Sequence, residues 1–335
     1  MAFLNYLLQM FFNLTWNINF YNEKGEFQLL TVKEIEVNTT VDNLVDTATI
    51  TLPEACMNYP LSIEDKIGRG TKVIIQYGYD DNFKTEFVGY VRDITTNDSS
   101  LKIECEDALL LFRKAIKDIE LKPTSVKKIA NYLISQIDPS FKVVCDEFDL
   151  DYEKFTIHQA TGYDVLKKLQ EETAANIYFN TEKKELHIHP PYVEKGGDVI
   201  YSAQKNVRSI SLEYKKKIDR KVEVTIESVG KDGKVKSYKT GTTGGESITR
   251  KVGSFSQDAI KKIAEAEFMK RSADGYEGSV DAWLIPFVAP TYTACYYDED
   301  YPSKDGKYYV ISVKTNISDS GGKRTIQFGV KLGNG

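Results

Sequence analysis

The sequence predicts a mainly β fold with an α+β insert: two antiparallel β-barrels flanking an inserted α+β domain. Three observations carry that expectation. The stretch from Thr85 to Ile94 alternates polar with large apolar side chains, the period of a strand with one buried face. A turn cluster at Thr96–Ser100 and a second alternating run, Leu101–Glu106, follow it and complete a hairpin. The same arrangement recurs near the C-terminus, with a strand at Lys307–Asn316, a turn at Ser318–Gly322 and a return strand at Arg324–Val330. Between the two copies the apolar period changes from two to about 3.6, which marks helical structure.

The repeat extends upstream of each hairpin. Lys72–Tyr79, with the acidic Asp80 and Asp81 behind it, matches Thr291–Tyr297, followed by Asp298, Glu299 and Asp300. Val32–Val37 and Ala48–Leu52 have expected counterparts in Val207–Leu212 and Val222–Ile226. Matching order at similar spacing points to two copies of one antiparallel module.

Taken in order, residues 1–13 form an apolar segment. Ala2–Phe12 is short, lacks a basic start and has no small-residue cleavage site after it, so it makes a poor signal peptide. Phe3, Leu4, Leu7, Leu8 and Phe11 fall at helical spacing, so an amphipathic helix packing either on its own barrel or on another chain is open. Residues 14–112 are the first barrel, opening with the strand Leu14–Phe20 and a turn at Asn22–Gly25. Strands follow at about 27–37 and 45–52, and Pro53 stops the run. Gly68 and Gly70 flank Arg69 rather than a Lys-Ser or Lys-Thr pair, which reads as a turn and not a phosphate loop. Asp107–Lys114 reads as a helix closing the module.

Residues 113–203 are the inserted domain. Pro123-Thr124-Ser125 starts a helix whose stripe is Val126, Ile129, Ala130, Leu133, Ile134 and Ile137, ended by Asp138-Pro139. Short strands are expected at 141–145 and 155–158. Thr161 and Asp164 have capping-box spacing ahead of a second helix carrying Val165, Leu166 and Leu169. Asn176–Asn180 and Glu185–His189 form a hairpin stopped by Pro190-Pro191. Residues 204–335 are the second barrel, with an accessory helix at about 256–271 that Ser254 or Ser256 would cap.

The chain has 335 residues, 41% of them hydrophobic, with 21 Tyr and 16 Phe, a balance that suits β structure. Net charge is −5 and Lys215-Lys216-Lys217 is the one basic run, so stable nucleic-acid binding is not expected. Those lysines suit a solvated strand edge. Four scattered cysteines, Cys56, Cys105, Cys145 and Cys295, lack metal spacing and are expected as free thiols. No stretch approaches ~18 apolar residues, so no transmembrane helix or stable membrane insertion is expected.

Candidate chemistry is sparse. His187 and His189 share one face of a strand, as two metal ligands would, but no third ligand is placed by spacing, so no metal site is assigned. Glu104, Glu106, Asp107 and Asp298–Asp300 are expected on solvated, turn-rich faces rather than in the apolar pocket that general acid–base work needs. The nucleophile elbow G-x-S-x-G is absent. No catalytic or cofactor-binding residue and no cofactor is therefore assigned, and the chain is read as not an enzyme.

The stretch LPEACMNYPLSIEDKIGRGTKVIIQYGYDDNFKTEFVGYVRDITTNDSSLKIECEDALLLFRK resembles the first barrel of phage tail baseplate hub proteins, the late-control-protein-D family, and the first half of VgrG proteins. The segments SVKKIANYLISQ and TGYDVLKKLQEETAANIYFN resemble the insert domain of that family, and YYVISVKTNISDSGGKRTIQFGV resembles its closing hairpin. The resemblance implies two tail-tube-like barrels per chain and a homotrimeric, pseudo-hexameric ring that joins a hexameric tail tube to a trimeric spike. It implies contacts with other baseplate or tape-measure proteins, DNA only in passage through the lumen, and a place in the virion tail baseplate after assembly in the bacterial cytoplasm. Only Lys331–Gly335 follows Val330, so a separate spike protein is expected. The alternative function is a tail-tip enzyme acting on peptidoglycan or glycan, with a β-rich binding half.

Overall fold

Alternation of apolar and polar side chains decides most of the architecture, because each pleated strand can bury only one face. The computed structural model describes residues 13–53, 63–97, 100–145, 148–215, 221–230, 232–272 and 275–333. The expected N-terminal helix within 1–13 lies outside these apart from Asn13, and so do Cys56, Lys216 and Lys217. The chain divides into two compact units.

The first unit gathers the described residues up to Val37 with Ala48–Cys105 and Asn316–Gly322. Its elements begin with β1 (Leu14–Asn22), β2 (Gly25–Leu29), β3 (Glu34–Thr40), β4 (Thr47–Leu52) and the short α1 (Ile63–Lys66). They continue with β5 (Lys72–Tyr79), β6 (Lys84–Asn97) and β7 (Ser100–Glu106). Hydrogen-bonded order is β3-β4-β7-β6-β5-β1-β2. The register Asn22↔Gly25 leaves Glu23-Lys24 as a two-residue turn, and Gly25 takes φ +127°. Asp80 and Asp81 both adopt positive φ, and the Asn82 amide closes the turn onto the Tyr79 carbonyl at 3.0 Å. The Thr71 amide bonds the Gly68 carbonyl, the turn expected there. Inward residues such as Ile18, Phe20, Ile35, Ile50, Val73, Ile75, Val91 and Ile103 form the core of this unit.

The second unit comprises Asn38–Thr47, Glu106–Thr315 and Lys323–Gly335. The helix expected at Asp107–Lys114 is a single 3-10 turn, Ala108–Phe112, capped by Asp107. Then come β8 (Ile119–Leu121), β9 (Thr124–Ser125), α2 (Val126–Ile137), β10 (Lys142–Val144), β11 (Asp151–Ile157) and α3 (Gly162–Thr173). Both helices start as the sequence predicts. The Ser125 hydroxyl accepts from the Lys128 amide, and Thr161 and Asp164 form a reciprocal capping box. The hairpin β12 (Asn176–Asn180) and β13 (Glu185–His189) takes β10 as a parallel third strand. Phe112, Phe141 and Phe179 pack ring to ring beneath it, at 4.8–6.1 Å between centroids.

The remaining elements are β14 (Asp198–Ser202), β15 (Val207–Lys215), β16 (Val222–Val229), β17 (Val235–Gly241), β18 (Glu246–Val252) and β19 (Ser254–Phe255). After them come α4 (Gln257–Ser272), β20 (Gly275–Ala282), β21 (Thr293–Tyr297), β22 (Gly306–Ser318) and β23 (Gly321–Gly333). Hydrogen-bonded order here is β15-β20-β23-β22, continued by β21 on β22 and β14 on β21. This repeats β3-β4-β7-β6-β5-β1 of the first unit position by position, with one difference. Strand β14 runs parallel to β21, whereas β1 runs antiparallel to β5.

One expected correspondence is corrected. Val222–Ile226 is not the counterpart of Ala48–Leu52, because β16 lies in a separate sheet, β17-β16-β18, with α4 packed on it. The strand in the place of β4 is β20. Its sequence GYEGSVDA carries little apolar alternation, so the cleaner pattern of β16 took its place in the sequence reading. The accessory helix therefore belongs to an excursion between β15 and β20. Ser256 caps it, its hydroxyl accepting from the Ala259 amide at 3.3 Å. Strand β19 pairs with β11, and Tyr152 packs on Phe255 with ring centroids 3.8 Å apart.

Gly278 shows why β20 is poor in side chains. It pairs with Leu212 on one side and Phe328 on the other, at φ +142°, and an added Cβ would lie 1.9 Å from the Ser211 carbonyl oxygen. Gly278→Ala is expected to destabilise the protein by about 2–4 kcal/mol, through backbone strain and forced separation of the strands. Chemical denaturation would register this as a lower midpoint with an unchanged slope. A wild-type midpoint would mean that the strands yield without cost.

Candidate functional site

The acidic residues expected on solvated faces divide sharply. Glu104 is half-buried, its side chain 35% exposed and paired with Arg92. Glu106 and Asp107 are each only 2% exposed, contrary to expectation. The Glu106 carboxylate takes two bonds from the Arg113 guanidinium, at 2.8 and 3.2 Å. Asp107 accepts from the Leu109 amide at 2.9 Å and from the Asp46 amide at 3.2 Å, and its own amide donates to the Asp46 carbonyl. These residues end a strand and turn the chain inward, where Arg113 engages Glu106 and backbone amides engage Asp107 in place of water.

Asp298 is corrected in the same way. It is buried while Glu299 and Asp300 are exposed. Its Oδ1 accepts from the amides of Asp300 and Tyr301, both at 3.1 Å, and the Tyr296 hydroxyl donates to its Oδ2 at 3.2 Å. Burial pushes this carboxyl up, but the bonds from Tyr301, Gln204, Tyr296 and Asp300 outweigh it and hold the carboxyl below its ordinary value. A carboxylate saturated by donors in this way orders a loop and offers no free lone pair for proton transfer.

The histidine pair is different. His187 and His189 lie on the face of β13 that also carries Glu185, while Leu186 and Ile188 point to the core. Tyr178 of β12 is directly opposite His187 and stacks on it, at 4.9 Å between centroids and 14° between planes. Beyond Pro190-Pro191 the chain returns Glu194 to this face. His187 Nδ1 lies 3.2 Å from His189 Nε2 and 3.1 Å from Glu194 Oε1, and His189 Nε2 lies 3.5 Å from Glu194 Oε2. The Tyr178 hydroxyl bonds the same Glu194 carboxylate, and His187 Nε2 is held by Glu185 at 3.1 Å. Burial pushes His187 down, against the pull of Glu185, and pushes Glu194 up to about 7.

Sequence reasoning therefore had two members of this group and missed Glu194 and Tyr178. The signal for Glu194 was a lone acid five residues past His189, beyond the Pro190-Pro191 pair that stops the hairpin. Among the described residues, Cys105, Cys145 and Cys295 are free thiols, and no helix is long and apolar enough to cross a membrane.

No protein-family model matches the chain, and no curated protein matches it by sequence. Solved structures do match. A tail protein from Neisseria meningitidis MC58 superposes with a TM-score of 0.66 at 12% identity, covering 94% of this chain and 96% of that one. A 43 kDa tail protein of prophage MuSo2 from Shewanella oneidensis gives 0.65 at 13% identity, with 94% and 98% covered. An E. coli component of the type VI secretion system, itself described as similar to the T4 tail proteins gp27 and gp5, gives 0.62 at 8% identity, covering 94% and 76%. The chain thus has the fold of phage tail proteins and of this type VI secretion component.

The Asp46–Asp107 pair makes stability depend on pH. Burial pushes the Asp46 carboxyl up to about 7, against the pull of the Thr40 amide, and burial together with the Asp46 charge raises Asp107 as well. A raised carboxyl binds its proton more tightly in the folded chain than in the unfolded one, where it titrates near 3.9. This contribution is thus complete below about pH 4 and is lost as pH rises through about 7. Asp46→Asn keeps an oxygen for the Thr40 amide and removes the repulsion. The variant is expected to be more stable than wild type at pH 8 by about 1–2 kcal/mol, with the gap closing towards pH 5. Thermal midpoints across that range check it, and parallel pH profiles for the two proteins would refute it.

Proposed function

We propose that this chain is a structural hub of a phage tail or phage-like injection particle. Three copies would form a ring that docks on a hexameric tail tube on one face and holds a trimeric spike on the other. The observation that carries this is the six-strand order repeated in the two units of one chain, β3-β4-β7-β6-β5-β1 and β15-β20-β23-β22-β21-β14. A six-fold tube needs six similar surfaces, and a chain with two copies of a module supplies them from three subunits. The copies also differ, since only the second carries β16–β19 and α4 between its first two strands. That difference lets the ring's other face be three-fold.

The domain division follows from this reading: a barrel over 14–112, an inserted domain over 113–203 and a second barrel over 204–335. The tail-protein fold, shared over 94% of the chain, supports placement in a tail particle assembled in the host cytoplasm, beside other baseplate or tape-measure proteins. The net charge of −5 supports a lumen that lets DNA pass without holding phosphates. The donor-saturated state of Asp298 supports a non-enzymatic role over the glycan-cleaving alternative.

Native mass measurement at micromolar concentration is expected to give three times the 38.0 kDa chain mass, and electron microscopy an annular particle. A monomer, dimer or hexamer of identical chains would overturn the ring. Cell-wall suspensions treated with the purified protein should keep their turbidity, and sustained clearing would favour the enzyme instead.

A further inference from the structure

We infer that His187, His189 and Glu194 form a binding site for a divalent transition cation of the zinc class. The spacings of the group lie within a few tenths of an ångström of those such an ion imposes. A tetrahedral ion with metal–ligand bonds of about 2.0–2.1 Å separates its ligands by about 3.3–3.4 Å. His187 Nδ1 lies 3.2 Å from His189 Nε2 and 3.1 Å from Glu194 Oε1, and the other carboxylate oxygen, Oε2, lies 3.5 Å from His189 Nε2, so each oxygen of Glu194 faces one of the two nitrogens. Two imidazole nitrogens and one carboxylate are also the donor set that intermediate cations prefer over magnesium or calcium.

The surroundings are those of a built site. His187 presents Nδ1 to the group because its other nitrogen, Nε2, is held by Glu185 at 3.1 Å. A carboxylate on the far nitrogen fixes the ring and makes the near nitrogen a better donor. Stacking on Tyr178 limits rotation of the same ring. A water would complete the fourth position, while the Tyr178 hydroxyl, donating to Glu194 Oε2, holds that carboxylate in place. An independent observation comes from Asn176, directly opposite His189 in the hairpin. It is 2% exposed, and its Oδ1 has no hydrogen-bond partner among the described residues. A buried acceptor left unpaired is costly, and a metal-bound water would supply the missing donor.

The ion would be a structural clip. It would tie the β12–β13 hairpin to the segment after Pro191 that leads into β14. This goes beyond the hub reading and does not depend on it, since a monomer could bind the ion and a trimer could lack it.

The test uses the full-length chain stripped with a chelator and titrated with Zn2+ or Co2+. One saturable equivalent per chain, Co2+ absorption of tetrahedral intensity and a raised thermal midpoint with Zn2+ are expected. His189→Gln and Glu194→Gln should each abolish the equivalent, Glu185→Gln should weaken it about 10–100-fold, and the remote His158→Ala should leave it intact. Absence of saturable binding in wild type, or binding that survives in both ligand variants, overturns the site. If the variants do not fold, the wild-type Co2+ spectrum decides: a tetrahedral spectrum upholds the site and an octahedral one rejects it.

Discussion

Antiparallel pairing along β5-β6-β7 and along β21-β22-β23 is the interaction on which the rest of the molecule depends. In each run, three consecutive strands satisfy one another's backbone donors and acceptors. The pairing fixes which side chains face inward, because a slip of one residue would turn every apolar side chain to the other face. The alternating burial of β5 and β23 is the visible result. Strand β20 obeys the same constraint from the opposite direction. Where backbones must approach most closely, the chain gives up side chains and uses Gly278.

Buried polar groups act as fasteners at the ends of these strands. Asp107 and Asp298 bind backbone amides, Glu106 binds Arg113, and Glu267 bridges Arg250 and Arg271 at 2.7 and 2.6 Å. Arg324, buried within β23, donates to the Leu284 carbonyl and the Thr315 hydroxyl, both at 3.1 Å, and lies over the Phe287 ring. Burial of these charges is tolerable because each is hydrogen-bonded. Their chemistry is spent on holding turns and strand ends in place. The His187 group stands apart, because His187 Nδ1, His189 Nε2 and the Glu194 carboxylate lie against one another rather than against the backbone.

Identity of only 8–13% with structures that match over 94% of the chain follows from the same physics. A pleated strand requires a period and a rough volume, not particular residues, so many sequences satisfy one sheet. The likeness is then carried by strand order, which no single motif records. This explains why fold comparison succeeds here where no family model matches.

The sequence by itself determined what is local. The two long hairpins, the Ser125 and Thr161 caps, the Glu23-Lys24 turn and the His187/His189 face were legible, because each depends on a few neighbouring residues with a fixed period or φ requirement. The β-rich class and the two-fold repetition followed from those pieces. Only the tertiary structure decided what depends on distant partners. It gave the place beside β23 to β20 rather than β16, paired β19 with β11, buried Asp107 and Asp298, and brought Glu194 to the histidines. Hydrogen bonds between strands far apart in sequence leave no trace in local composition. A carboxylate looks the same in the chain whether water or a backbone amide will solvate it.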